Sequence, residues 1–177
     1  MRKTLKFILI TVMLLLAVSW LTSIAYGQTN GEAEQTGIQV EAAPPEKAPT
    51  ASFFGNAIGG VTGGDLFYIN ATNYQPDMSV DLYITNADEL VHYLRYLILK
   101  VAVYMEDTDG QWQQITSQDG TVLPDTYITM KNSPVSFILP GLAHYKITIE
   151  SGSYHCFPLN SSGGNFSPQF YIDVGTI

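Results

Sequence analysis

The chain has 177 residues and a formal net charge of −8, with 12% aromatic residues and only 14% charged residues. An acidic chain repels nucleic acid and anionic membrane surfaces, which argues against both as partners. Few charges combined with many tyrosines are typical of a β-protein and not of a helical one.

The N-terminal segment has the three-part layout of a secretory signal peptide. Three basic residues open the chain, an apolar run covers residues 7–20, and the small residues Ala25 and Gly27 precede a cut before Gln28. We therefore predict a Sec-type signal helix over residues 1–27 and an extracellular or cell-surface location.

An uncleaved membrane anchor is the alternative for the same segment, because about 20 apolar residues span a bilayer as a helix. The membrane would then be a partner through this segment alone. Cleavage would instead remove three of the eight basic residues, leaving 5 against 16 acidic ones and a net charge of −11.

Residues 28–50 form a polar segment that becomes rich in proline and alanine. Such a composition buries too little apolar surface to offset the entropy of ordering, so we predict a disordered linker. One short part, residues 37–41, alternates apolar and polar side chains and could pair as a strand with another chain.

Residues 51–177 are predicted to form one domain whose apolar residues recur at every second position. Short strands are also expected at 66–69 and 126–129. This spacing predicts an all-β fold, a two-sheet antiparallel β-sandwich of Ig-like or jelly-roll-like type. The residues expected to face the core are Val80, Leu82, Ile84, Leu97, Leu99, Val101, Val103, Met105, Val135, Phe137, Leu139, Tyr145, Ile147, Ile149, Phe170, Ile172 and Val174.

Turn signals separate these runs. Hairpins are expected at residues 107–110 and 118–120, each carrying Asp-Gly. A crossing loop is expected at 139–144 and a mobile loop at 160–165. Residues 88–96 fit either a single helical turn or the start of a long strand, and we favour the helical turn, with Asp88 as its cap.

No motif for catalysis, cofactor binding or phosphate binding occurs, so we predict a protein that is not an enzyme and has no catalytic, cofactor or metal residues. Asp107 and Asp109 have the spacing of calcium ligands, but the distal carboxylate of a calcium loop is missing, which favours a solvated turn. Cys156 is the single cysteine. It is expected to be a buried small hydrophobe, with an intermolecular disulfide as the alternative.

Eight aromatic residues lie in or near the predicted strands. They indicate either cross-strand packing on the outer faces or a platform for a glycan or peptide. Tyr145 follows the crossing loop, where a tyrosine hydroxyl can bond back across the corner of a Greek-key sandwich; an ordinary core tyrosine is the alternative. The eight aromatic residues are Tyr68, Tyr74, Tyr83, Tyr93, Tyr96, Tyr104, Trp112 and Tyr127.

Triplets that could accept N-linked glycans begin at Asn70, Asn160 and Asn165.

Residues 65–86 read as a strand, a polar Pro-Asp turn and a strand that ends in Thr-Asn. This cadence resembles the opening of the TasA/camelysin-like exported β-sandwich proteins, in which a Pro-Gly-Asp turn is usual and Asp77 here replaces the glycine. The resemblance implies a fibre or matrix subunit in which an N-terminal strand of one copy completes the sheet of the next. The donor would be residues 37–41 or 51–58.

The expected function is thus an exported, non-catalytic structural protein of the cell surface that assembles with copies of itself by strand donation. The alternative is a monomeric Ig-like adhesion or ligand-binding module, tethered at the cell surface.

Overall fold

The protein is predominantly β, and its two mainly antiparallel sheets are consistent with a β-sandwich. This confirms the all-β, two-sheet prediction, while the Ig-like or jelly-roll-like connectivity stays a prediction. The computed structural model describes residues 22–23, 25–29, 37–51, 58–115, 117–118, 121–122, 126–157 and 167–177.

Helical structure in the described residues is limited to the 3-10 turn Pro45–Lys47 and the short helix α1, Ala87–Leu90. The strands are β1 (Thr22–Ser23), β2 (Ala25–Thr29), β3 (Gln39–Ala42), β4 (Thr50–Ala51), β5 (Ile58–Asn70), β6 (Met78–Ile84), β7 (Leu94–Glu106), β8 (Trp112–Gln114), β9 (Ser117–Gln118), β10 (Thr121–Val122), β11 (Thr126–Thr129), β12 (Val135–Leu139), β13 (His144–Cys156) and β14 (Gln169–Thr176).

The larger sheet has the order β1-β4-β5-β13-β7-β11, with β3 also paired to β5 and β8 to β7. Its three long strands, β5, β13 and β7, lie side by side and are antiparallel. The smaller sheet has the order β12-β6-β14-β2, and β2 is the strand that runs parallel to its neighbour. A separate hairpin joins β9 to β10.

One apolar core joins the two sheets, because residues of both belong to a single buried cluster. Phe67 and Ile147 come from the larger sheet, and Leu82 and Phe170 from the smaller one. The inward rows predicted from period-two alternation are confirmed, with two exceptions. Met105 is 37% exposed, because it lies one residue before the end of β7 beside the short strand β8, and Val174 is half-buried.

The prediction of a disordered linker is wrong for residues 37–50. In this stretch β3 pairs antiparallel with β5, and the Ala43 N–H donates to the Leu66 carbonyl oxygen at 2.8 Å. Ile38 is fully buried, and Val40 and Ala42 pack against the core. Three alternating apolar residues thus supply enough buried surface to order the segment, and the folded domain begins before residue 51.

The predicted signal helix is not supported by the structure. Residues 1–21 lie outside the described residues, and residues 25–27 belong to strand β2. In the described part of the chain, no helix has the length and apolar character needed to cross a bilayer. The predicted loop at 160–165, the triplets at Asn160 and Asn165, and residues 52–57 of the second donor candidate also lie outside the described residues.

The predicted turns are confirmed where they are described. Glu106 pairs with Trp112 across the first hairpin, and Gln118 pairs with Thr121 across the second. The crossing loop carries the chain from β12 in the smaller sheet to β13 in the larger one. The helical turn is α1, but its N-cap residue is Asn86 and not Asp88, and β7 begins at Leu94.

Candidate functional site

The outer face of the larger sheet carries two adjacent rows of polar and aromatic side chains. Strand register aligns Glu41, Tyr68, Lys146, Tyr104 and Gln114, which lie on β3, β5, β13, β7 and β8. Each of the five residues lies next to a residue that is buried or packs against the core. Because successive side chains of a strand point to opposite faces, all five point away from the core. Five strands that are distant in sequence therefore build one continuous surface.

The second row contains ionisable and amide groups. Gln39, Asn70 and His144 are aligned by register, and Glu106 pairs with Trp112 on the hairpin side. The Nδ1 atom of His144 lies 2.8 Å from a carboxylate oxygen of Glu106, which fixes the imidazole ring and leaves Nε2 for another partner.

A groove of about 400 Å³ lies over these rows. This volume falls within the range of sites that hold small molecules. The lining residues are Gln39, Glu41, Tyr68, Ile69, Asn70, Glu106, Trp112, His144 and Tyr145. We call this feature the outer-face groove.

Lys146 lies beside the groove, where it contacts the rings of Trp112 and Tyr104. Its ammonium group lies 5.1 Å from the ring centre of Trp112 and 5.2 Å from that of Tyr104. The same group is 3.5 Å from a carboxylate oxygen of Asp65. Cation–π contacts and a partly shielded ion pair reinforce one another here, because each fixes the same flexible side chain.

Tyr68 also lines the groove, next to Trp112. Its hydroxyl donates to Asp65 at 2.6 Å, and its ring lies 6.0 Å from that of Trp112, tilted by 55°. Lys47 stands over the Tyr68 ring at 5.6 Å. Burial, and then the bond to Asp65, raise the pKa of the Tyr68 phenol well above its usual value.

A second shallow depression continues past Lys146 along β13. Glu150 accepts a hydrogen bond from Tyr104 at 3.1 Å and forms an ion pair with Lys100 at 3.1 Å. Burial, followed by this bond to Glu150, raises the pKa of Tyr104. Ion pairs, hydrogen bonds and cation–π contacts thus connect the side chains on the outer face of β5, β13 and β7.

The eight aromatic residues singled out in the sequence do not form one platform. Tyr68 and Trp112 line the outer-face groove, and Tyr104 lies beside it, in contact with Lys146. Tyr83 packs on Tyr171 of the smaller sheet at 5.9 Å. Tyr96 contacts His155, Tyr74 is buried, and Tyr127 is exposed. Cross-strand ring packing is confirmed for the Tyr68 and Tyr83 pairs.

The turn at Asp107 is a hydrogen-bonded hairpin. One carboxylate oxygen of Asp107 accepts the backbone N–H groups of Asp109 and Gln111 at 3.0 and 2.8 Å. The other oxygen accepts the side-chain amide of Gln113 at 3.2 Å. These bonds, that of Gln111 most of all, lower the pKa of the Asp107 carboxyl, which supports the interpretation as a solvated turn.

Cys156 is fully buried and unpaired at the end of β13. Burial raises the pKa of its thiol, so the reactive thiolate is disfavoured. This confirms the expected burial. Among the described residues, no group of three or more His, Cys, Asp and Glu side chains is arranged to hold a metal ion.

The edge of the smaller sheet that β2 forms is a second candidate for function. Strand β2 lies along β14 in parallel, with Ala25 opposite Gln169, Gln28 opposite Tyr171 and Thr29 opposite Ile172. On its other side, β14 pairs with β6 from Phe170 to Thr176. The N-terminal segment thus completes the edge of this sheet over its first half.

Compared with known proteins, the chain matches no protein-family model and shows no significant similarity to a curated protein.

Proposed function

We propose that the protein is an exported, non-catalytic structural subunit of the cell surface that assembles by strand exchange through its N-terminal segment. The observation that carries the proposal is the parallel addition of β2 to β14, which would otherwise be the edge strand of the smaller sheet. Edge strands invite pairing with another chain, and strand addition supplies backbone hydrogen bonds without demanding a particular side chain.

Strand donation to another subunit is geometrically accessible. Nine residues separate Thr29 at the end of β2 from Gln39 at the start of β3. Fully extended, such a connection reaches about 30 Å. That distance allows the same N-terminal strand to pair with its own sheet or with that of a neighbour.

The predicted export step bears directly on this edge. A cut before Gln28 removes residues 25–27, which lie opposite the beginning of β14, and leaves Gln28 and Thr29 at the new N-terminus. The edge near Gln169 then lacks its partner. The N-terminal residues of a second copy, which also begin at Gln28, would pair with this part of β14 in a shifted register, which couples assembly to export.

The donor differs from the segments expected from sequence. Residues 39–41 pair with β5 of their own chain, and Ile38 is part of the core, so they are poor candidates for exchange. The resemblance to the TasA/camelysin-like proteins supports strand donation in general. Because Gln28 and Thr29 pair with β14, we infer that the N-terminal residues from Gln28 onward are the donor.

The experiment compares the protein purified after export with a chain that begins at Gly37. The shorter chain lacks the N-terminal strand but keeps β3 and Ile38, which a start at residue 51 would remove. Light scattering and negative-stain images should show ladders or fibres for the exported protein only. Monomers from both chains would contradict assembly by strand exchange.

A second candidate function is favoured by the outer-face groove. A tethered, monomeric ligand-binding module would use such a groove, whereas a purely structural subunit would not need one. Light scattering on the exported protein separates the two candidate functions, because a ligand-binding module should stay monomeric whereas a structural subunit should assemble.

A further inference from the structure

We propose that the outer-face groove binds a neutral saccharide, with Trp112 and Tyr68 against the sugar ring and the second row of side chains against its hydroxyl groups. The proposal rests on the second candidate function, since it names a ligand for that site, and it is independent of strand exchange.

The aromatic surfaces argue against a cationic ligand. Lys47 already lies over the ring of Tyr68, and Lys146 already lies over Trp112 and Tyr104. The protein's own ammonium groups therefore occupy the positions that a ligand cation would take. Tyr68 and Trp112 are each only partly buried, so both side chains keep exposed surface that suits C–H groups, which carry no full charge.

The polar lining has mixed donors and acceptors. The Nδ2 group of Asn70 and the indole N–H of Trp112 are donors, and Glu41 is an acceptor. None of the three has a hydrogen-bond partner among the described residues. Sugar hydroxyls both donate and accept, so they satisfy such a mixed set.

One wall of the groove is preorganised for this task. Asn70 is fixed because its Oδ1 atom accepts the N–H and the hydroxyl of Thr72 at 3.1 and 2.7 Å. Glu106 holds the imidazole ring of His144, and both residues line the groove. Donors that are held in place lose little entropy when a ligand binds.

The test is binding of the exported protein, made in a bacterium that does not glycosylate Asn70, to an array of neutral oligosaccharides. The probes are hexamers of β-1,4-glucose, α-1,4-glucose, β-1,4-mannose and N-acetylglucosamine, with trilysine as a cationic probe. We expect at least one neutral hexamer to bind, and titration to quench tryptophan fluorescence.

Variants locate the site. Trp112→Ala should weaken binding about tenfold, the value of one lost ring contact. Glu41→Gln, at an exposed side chain, should weaken it severalfold without affecting the fold. Tyr83→Ala is the matched control, because Tyr83 belongs to a similar ring pair on the other sheet and should leave binding unchanged.

Three results would overturn the inference. Binding of trilysine alone would leave a ligand-binding module but exclude a saccharide site. No binding of any probe would remove both the saccharide site and the main support for the second candidate function. Saccharide binding that survives both Trp112→Ala and Glu41→Gln would place the sugar elsewhere on the protein.

Discussion

The hydroxyl of Tyr145 donates a hydrogen bond to the carbonyl oxygen of Pro140 across a distance of 2.7 Å. Tyr145 is the second residue of β13 and is fully buried, while Pro140 opens the loop that crosses from the smaller sheet to the larger one. A side chain of one sheet therefore fixes the corner that connects it to the other. This confirms the corner predicted from the position of Tyr145, in preference to an ordinary core tyrosine.

Replacing Tyr145 by Phe should lower the free energy of unfolding by about 1 kcal/mol, because the core packing remains while one hydrogen bond is lost. Urea unfolding measures the change. Tyr127→Phe is the control, since Tyr127 is exposed and its hydroxyl has no hydrogen-bond partner in the described part of the chain. Equal effects of the two variants would show that the corner bond does not stabilise the fold.

The stabilisation by the Tyr145 hydroxyl should disappear in alkali. Burial raises the pKa of Tyr145 from 10.0 to about 12. A raised pKa means that the stabilisation is complete below pH 10 and is lost as the pH rises through 12. The difference in unfolding free energy between the wild-type protein and Tyr145→Phe should thus be constant between pH 8 and pH 10 and narrow from pH 10 to pH 12. A constant difference would contradict the burial of an un-ionised phenol.

Replacing Gly64 by Ala should destabilise the segment at residues 45–51. A Cβ atom at Gly64 would lie inside contact distance of the backbone of Lys47, Ala48 and Pro49. Overpacking of this kind costs about 1–3 kcal/mol. The expected results are a lower midpoint of thermal unfolding and faster tryptic cleavage after Lys47.

Gly60→Ala is the matched control in the same strand, because its Cβ atom would meet only the Gly152 carbonyl oxygen, at 3.7 Å. It should unfold like the wild-type protein. If Gly64→Ala behaved in the same way, the predicted linker would not be docked on β5.

Lys146 should contribute through its aliphatic stem as well as its charge. Lys146→Met keeps most of the contact with Trp112 and Tyr104 but leaves Asp65 without its cation. Lys146→Ala removes both. We expect a loss of up to about 1 kcal/mol for the Met variant, because the ion pair is partly exposed, and a larger loss for Ala. Chemical denaturation of both variants measures their free energies of unfolding. Equal losses of stability in Lys146→Met and Lys146→Ala would show that the aliphatic stem makes no packing contribution.

Period-two alternation was sufficient to predict the all-β, two-sheet architecture, because a strand with one buried face has apolar residues at every second position. The rows at Val80, Phe137 and Ile147 show it plainly. The linker prediction failed because composition was weighed over the whole segment, whereas order there depends on Ile38 and on pairing with a distant strand. Local composition cannot reveal a partner about 30 positions away.

The candidate site was only partly predictable. Tyr68, Tyr104 and Trp112 were recognised as aromatic residues near strand positions, but Lys146 and the pair of Glu106 and His144 were not. Their proximity depends on the order and register of β5, β13 and β7, which alternation does not specify. The one available signal was that Lys146 lies between the inward residues Tyr145 and Ile147, so its side chain must point outward.

Photo-cross-linking from the edge of the smaller sheet tests strand exchange most directly. Tyr171, which lies opposite Gln28 in the register, is replaced by p-benzoylphenylalanine, and isotopically light and heavy exported protein are mixed in denaturant and refolded together. The same replacement at Tyr83, one strand further from β2, is the control. We predict cross-linked peptides that join the light Tyr171 segment to the heavy N-terminal segment. Cross-links found only within light chains or within heavy chains would show that each subunit completes its own sheet, and would contradict assembly by strand exchange.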